Sequence, residues 1–386
     1  MKSLQLSLNE LIPKLGLSAH TVSNAAYSKA RHKLSHSAFI ELNQKAVVDA
    51  MYQDGDYQTR HGLRILAVDG SQVMLPGSPE VKEVFGGRRF SNQRSGVEGE
   101  HCYGLASVLY DVLNRVALEA QLLPCRAYEV DVAVSHLKRT EAHDLVIYDR
   151  GYCSYRMMAL ASYAQSDFLI RCHAQSFTVI NEMLTGKGPD DVTCTIPAGK
   201  DFAKETGNRE LPTTITVRFV RVILDTGEYE VLATSLLDQA QYPLAIFKEL
   251  YYLRWGVETF YGILKTRLNL ENFSGLSVEA IRQDFYVAVF LTGVESILTE
   301  DAEANLNKQL GGYPKKVNKA VSFNAIKYRA FELFMSGRPT EQTLEELTEV
   351  FLSNPTRVRK DRKPPRKQSS THKRLHFWQR KRKAIF

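Results

Sequence analysis

The sequence predicts an α/β fold from three observations. The apolar run Ile65–Val68 has the length of a buried strand and ends at Asp69, and the run Leu145–Tyr148 ends in the same way at Asp149. Further on, YYLRWGVETFYGILK carries a helical pattern, with Tyr251, Arg254, Glu258 and Lys265 spaced by three, four and seven residues. At about 100° per residue these four side chains share one stripe of a single helix. Two strands that end in acids, followed by a helix that carries another, make a mixed α/β core.

The elements follow in chain order. Residues 1–62 read as a separate helical region: LNELIPKLGLSAHTVSNAAYSKARHKL has an apolar period near 3.6, Gly16 at a turn and Ser18 placed to cap the next helix. This pattern is compatible with helix-turn-helix DNA binding, with Lys29, Arg31, His32 and Lys33 as phosphate contacts, and DNA contact is the reading taken over the alternative of a simple packing domain. Residues 63–174 hold the two strand-end aspartates and form the first part of the core. Between Asp149 and Glu258 lie 108 residues, more than a compact core needs, so residues 175–235 are expected to be an insertion. Its pieces TTITVRFVRVIL and EYEVLATS are strand-like and are joined by DTG, which predicts a β-hairpin. Residues 236–299 complete the core with the glutamate helix, and 300–355 read as helical.

The tail, 356–386, changes character. From Thr356 to Phe386 there are 13 Lys and Arg residues against one acid, Asp361, a net +12 on a chain whose total is +7, so the remainder is −5. With Pro364 and Pro365 and no long apolar run, the tail is expected to be disordered when free. Lys373, Arg374, Arg380, Lys381 and Arg382 are its candidate contacts to a phosphate backbone; a solubility tail is the plainer alternative.

Each functional candidate also has an ordinary reading. Asp before Gly is common turn chemistry, and Arg254 and Glu258, four apart, suit a solvated ion pair. The face opposite the stripe, with Tyr252, Trp255, Thr259, Tyr261, Leu264 and Leu268, predicts a helix buried over much of its surface, where such charges need charged partners. Carboxylates from separate segments are the oxygen ligands that divalent metal and phosphoryl transfer require.

On these residues the chain resembles the DDE transposases of bacterial insertion sequences, specifically the insertion-sequence-4 family. Tyr251, Arg254, Glu258 and Lys265 match that family's Tyr-Arg-Glu-Lys signature at every spacing. Asp69-Gly70-Ser71 matches its D-G-[ST] motif and Asp149-Arg150-Gly151-Tyr152 its D-R-G-[YF] motif. The resemblance covers roughly residues 18 to 300. It implies a ribonuclease H-like catalytic core with an inserted β-rich subdomain, an N-terminal helical DNA-binding domain and a C-terminal helical and basic region. It implies two Mg²⁺ ions, replaceable by Mn²⁺, held by Asp69, Asp149 and Glu258 as catalytic and metal-binding residues. Arg254, Lys265 and Arg150 would hold phosphate, and Tyr251 would bond a phosphate or serve the core. The implied partners are double-stranded DNA, as terminal inverted repeats and target, and a second copy in a synaptic homodimer, for which 300–353 is a candidate interface. The implied reaction is cut-and-paste transposition through a hairpin end. Alternatives are a metal-dependent nuclease without strand transfer and a catalytically silent DNA-binding relative. Relatives stack a Trp of the insertion on a flipped base. This chain's tryptophans are Trp255 and Trp378, so the ring would come from Phe177, Phe202, Phe219 or Tyr229.

Composition bounds what is left. A chain of 386 residues with 44% hydrophobic content can bury a substantial core. The five cysteines show no close pair in sequence, which fits reduced thiols in a bacterial cytosol. No apolar run reaches membrane length, no signal-peptide core opens the chain, and no Walker-type loop implies a nucleotide cofactor.

Overall fold

The computed structural model describes residues 4–14, 22–92, 97–174, 176–199, 202, 211–308, 313–334 and 340–358. The expected Gly16 turn, the Ser18 cap and the basic tail contacts Lys373, Arg374, Arg380, Lys381 and Arg382 lie outside the described residues. The chain divides into two compact units, one of 52–73 and 82–262, the other of 1–51, 74–81 and 263–386.

The first unit is built on a nine-stranded sheet. Its strands are β1 (Arg64–Met74), β2 (Gly87–Asn92), β3 (Val97–Asp111), β4 (Val116–Pro124), β5 (Asp144–Tyr148), β6 (Asp167–Arg171), β7 (Asp191–Pro197), β8 (Thr214–Ile223) and β9 (Tyr229–Thr234). The order is β2-β3-β1-β5-β6-β9-β8-β7, with β4 on β3. The centre is parallel: β1 runs with β5, Arg64 opposite Asp144 through Ala67 opposite Ile147, and β5 runs with β6. The flanks are antiparallel. The expected hairpin forms between β8 and β9, turning at Gly227 with φ 84°, a conformation glycine adopts without strain. Because β9 also pairs with β6, the strands of 175–235 continue the central sheet.

The unbroken apolar runs of β1, β5 and β6 follow from burial on both faces. Leu66, Val68, Val146, Tyr148, Phe168 and Ile170 face one core, shared with α6 (Glu129–His136), α7 (Tyr155–Tyr163) and α8 (Thr178–Leu184). Ile65, Leu145, Ile147 and Leu169 face a second core, closed by Phe247, Leu250 and Tyr251 of α9 (Phe247–Tyr252). At the open end of the parallel strands, the Arg64 guanidinium forks onto Asp144 with two 2.7 Å bonds, and both side chains are buried.

The second unit is helical. Helix α11 (Val278–Leu298) begins at Ser277, whose hydroxyl accepts the Ala280 N–H. Helices α2 (Asn24–Arg31) and α3 (Ser37–Asn43) hold to α11 through an Arg31–Asp284 ion pair at 2.8 Å and a His36–Glu279 contact at 2.9 Å. Val47, in the π-helical turn Gln44–Val48, sits so close to Gly293 that a Cβ there would meet its methyl at 2.4 Å. Helices at Glu300–Lys308, Lys319–Phe334 and Thr340–Ser353 complete the unit.

Candidate active site

Both aspartates stand two residues past the last ladder pair of β1 and β5, Ala67 with Ile147, so the parallel register delivers them side by side. Asp149 follows β5 directly, as the apolar run predicts. Asp69 departs from expectation: β1 does not end at Val68 but runs on to Met74, its face loosening to half-buried from Asp69 to Gln72. The reason is β1's other neighbour, β3, which continues beside it after β5 has stopped.

The single helix expected over 251–265 is interrupted. Helix α9 stops at Tyr252 and α10 (Trp255–Gly262) starts three residues later. Across the break the amides of Leu253, Arg254, Gly256 and Val257 bond carbonyls three residues back, at 2.9–3.2 Å. Bonds of that type turn the chain about 120° per residue and eclipse side chains three apart. This brings the Arg254 guanidinium over the Tyr251 ring at 5.9 Å while Trp255 covers it at 5.3 Å. After Gly262 the chain passes into a π-helical turn, Ile263–Arg267, so the seven-residue offset from Glu258 to Lys265 no longer has its α-helical angle. Lys265 belongs to the other compact unit. A solvent side also exists, contrary to the sequence pattern: Tyr252 is 70% exposed and Trp255 42%.

Three signature side chains therefore meet the aspartates within one unit. The Tyr251 hydroxyl donates to Asp149 Oδ1 at 3.3 Å, and Arg254 Nη2 donates to Glu258 Oε1 at 2.7 Å. The Tyr261 hydroxyl lies 2.9 Å from the carbonyl oxygens of Asp69 and Ala106, fixing α10 against the strands. Arg254 is 6% exposed, and its Nε has no partner. Burial works against its charge, but Tyr251, Glu258 and Asp149 hold it protonated. A buried guanidinium with a spare donor is suited to an anion with several oxygens.

Asp69 carries the most perturbed acid of the site. Burial pushes its carboxyl up to about 6; the Gly70 amide and Arg254 oppose this, while Glu258 and Glu129 add to it. Glu129, in the first turn of α6, is the acid that sequence reasoning missed. Its Oε2 would lie 3.1 Å from a Cβ on Gly70. Nothing in the sequence marks it, because its helix reaches Asp69 only through the β3–β4 excursion. Glu230 on β9 is likewise close enough to feel Asp149, and forms a 2.7 Å ion pair with Arg171.

As donors for a divalent cation, Asp69, Asp149 and Glu258 are the right chemistry: hard carboxylate oxygens, with Asp69 half-buried beside further acids. Among the described residues no three His, Cys, Asp or Glu side chains converge closely enough to hold a metal, and Glu258 is engaged by Arg254. To serve as a ligand, Glu258 would have to exchange that partner.

The remaining candidates are dispersed. Arg150 is exposed in the short turn after Asp149. In the other unit Lys29 and Lys33 are exposed, whereas Arg31 is engaged by Asp284, Gln283, Ser274 and the Ala280 carbonyl. Of the four rings offered for stacking, Phe202 and Phe219 are buried and Phe177 packs on Phe219 at 5.7 Å. Tyr229 is 39% exposed, with Arg221 stacked 4.9 Å over it. Elsewhere Ser107, His136 and Glu119 form a Ser–His–Glu chain, at 3.0 and 2.7 Å, with Ser107 and His136 buried in the core. Cys153 and Cys172 share a thiol hydrogen bond, although all five cysteines are free.

The chain is 23% identical over 158 residues to the Escherichia coli (strain K12) protein named "Putative transposase InsZ", a match covering 38% of this chain and 50% of that protein. It thus spans about half the length of the curated relative it matches. A cryo-EM structure of a piggyBac transposase synaptic complex with hairpin DNA superposes with a TM-score of 0.41 at 8% identity, covering 75% of this chain and 57% of that one. Among the described residues no helix is long and apolar enough to cross a membrane. Residues 60–292, more than half of the chain, match the family described as Transposase DDE domain, and the chain belongs to that family.

Proposed function

We propose that this protein is a DNA transposase of the insertion-sequence-4 type, which cuts an element from its flanks and joins it to a target. The observation that carries this reading is the meeting of Asp69 and Asp149, at matched positions past the parallel ladder, with Tyr251, Arg254 and Glu258 around the helix break. The family match over residues 60–292 supports it.

Asp69, Asp149 and Glu258 would hold two Mg²⁺ ions, or Mn²⁺, which when bound supply Lewis acidity at both the attacking and the departing oxygen of a phosphodiester. Arg254 would take a phosphate oxygen, through its partnerless Nε or through an Nη2 that Glu258 would give up in binding a metal. Tyr251 holds Asp149 in orientation through its hydroxyl. Tyr261, bonded to the backbone of β1 and β3, keeps α10 and its glutamate in register with Asp69. The first nucleophile is water and the second a DNA 3′-hydroxyl. A 3′-hydroxyl that attacks the opposite strand of the same end gives a hairpin before the element is released.

The partners of this reading are double-stranded DNA, as terminal inverted repeats and target, and a second copy of the chain that brings two ends together in the bacterial cytoplasm. The core is ribonuclease H-like, with 1–62 and the basic tail 356–386 as additional DNA contacts. Incubating a pre-cleaved end with a supercoiled target plasmid in Mg²⁺ tests it. Joined product is expected, and cleavage of fresh ends with no joining under any condition would favour a plain nuclease.

A further inference from the structure

A cleft of about 660 Å³ opens in the same unit as Asp69, lined by β2, β3 and the turn between β4 and α6. Arg88, Arg89 and Arg126 line it, with Gln72, Glu100 and Glu129. The catalytic reading uses none of the arginines. We propose that this cleft seats the phosphodiester backbone of the DNA strand being cut, with Arg88, Arg89 and Arg126 gripping phosphates next to the scissile one. The proposal rests on the transposase reading and extends it.

Charge and position carry it. All three arginines are exposed. Glu100 is bound by Lys82 at the rim, and that hydrogen bond, with the charges of Lys82, Arg89 and Arg126, holds its carboxyl below the usual range. Counting Arg88, Arg89, Arg126 and Lys82 against Glu100 and Glu129 leaves an excess of two positive charges at the cleft. Such an excess attracts a polyanion, and planar guanidinium forks suit paired phosphate oxygens.

Glu129 joins the cleft to the neighbourhood of Asp69. Glu129 lines the cleft and also stands against Gly70, next to Asp69. A strand with its scissile phosphate at Asp69 can pass Glu129 into this cleft. Glycines make the passage: Gly86 turns with φ 77°, and a Cβ on Gly87 would lie 2.9 Å from the His101 carbonyl, so β2 can draw close to β3 and present Arg88 and Arg89.

The test is binding of the full chain to duplex carrying the element's end. A Glu258→Gln background prevents turnover, and salt runs from 50 to 200 mM. One variant carries Arg88→Ala, Arg89→Ala and Arg126→Ala; a second carries Lys at the same three positions; Lys248→Ala, at an exposed pair with Asp225, is the control. The alanine variant is expected to flatten the slope of log affinity against log salt by about 2 to 3, at about 0.9 per lost phosphate contact. The lysine variant should recover most of that slope, and the control should match the parent. If the alanine variant keeps the parental slope and affinity while wild type cleaves the end in Mg²⁺, the cleft proposal is overturned and the transposase reading stands. If wild type neither binds nor cleaves end DNA, the transposase reading fails and the proposal fails with it.

Discussion

Replacing Asp69 with Asn should stabilise the metal-free protein at neutral pH, although it removes a residue assigned to the reaction. The carboxyl is half-buried beside Glu258 and Glu129, and its pKa rises from 3.8 to about 6. An acid whose folded pKa exceeds its unfolded value binds more protons folded than unfolded between those two values. Stability therefore falls as pH rises from about 3.8 to 6, and the whole cost is present above 6. At about 1.4 kcal/mol per pKa unit, this comes to about 3 kcal/mol. Asparagine removes the charge and keeps an oxygen to accept the Gly70 N–H, which Asp69 Oδ1 now takes at 2.9 Å. Urea unfolding in chelator should show Asp69→Asn ahead of wild type by up to about 3 kcal/mol at pH 7.5, the gap closing toward pH 4. Saturating Mg²⁺ should then stabilise wild type more than the variant. A variant less stable than wild type at pH 7.5, or a gap that does not change with pH, would refute the assignment of a half-buried carboxylate that its partners do not fully compensate.

Four further outcomes follow from the same geometry. Arg254→Ala should lower cleavage on the order of 10²-fold, as loss of a preorganised donor does, with the duplex still bound in a mobility-shift assay. Tyr251→Phe, which loses one 3.3 Å bond to Asp149 but keeps the ring against Leu250 and Phe247, should cost less than about tenfold in cleavage rate and leave the thermal midpoint in place. Arg64→Met strands the buried Asp144 carboxylate and should cost about 3–5 kcal/mol in urea at pH 7. Ser107→Ala should leave DNA cleavage unchanged and produce no change in ester hydrolysis, since its hydroxyl is sealed in the core beside His136.

Much of the site can be read from the sequence, because its carriers are local. A four-residue apolar run can only be a buried strand or a short buried helix, and the acid after it marks the end that faces solvent. Asp149 behaves in this way. Asp69 does so less cleanly, because strand length depends on neighbours: β3 sustains β1 past the acid, and nothing within LRILAVDGSQVM records β3. The spacing of Tyr251, Arg254 and Glu258 predicts their meeting correctly while misplacing its cause. The residues converge through a tight break stacked on Tyr251 and Trp255, which a uniform helical angle cannot anticipate.

What stayed hidden depends on long-range pairing. Glu129 reaches the neighbourhood of Asp69, and lines one cleft with Arg88, Arg89 and Arg126, only because β2, β3 and β4 fold back beside β1. The hairpin of β8 and β9 is legible in its DTG turn, yet its attachment to β6 is not, because an edge strand and an inserted subdomain share the same alternating pattern. Burial likewise separates Phe202 and Phe219 from Tyr229, which composition treats alike.

The central claim is that Asp69, Asp149 and Glu258 form one catalytic unit at DNA. Single-turnover nicking of an end-bearing duplex in Mg²⁺, compared between wild type and Asp149→Asn and Glu258→Gln at equal duplex occupancy, tests it most directly. The account predicts that wild type nicks at the element boundary while each variant binds the duplex with nicking reduced by several orders of magnitude. Nicking by either variant at a rate near wild type would contradict it.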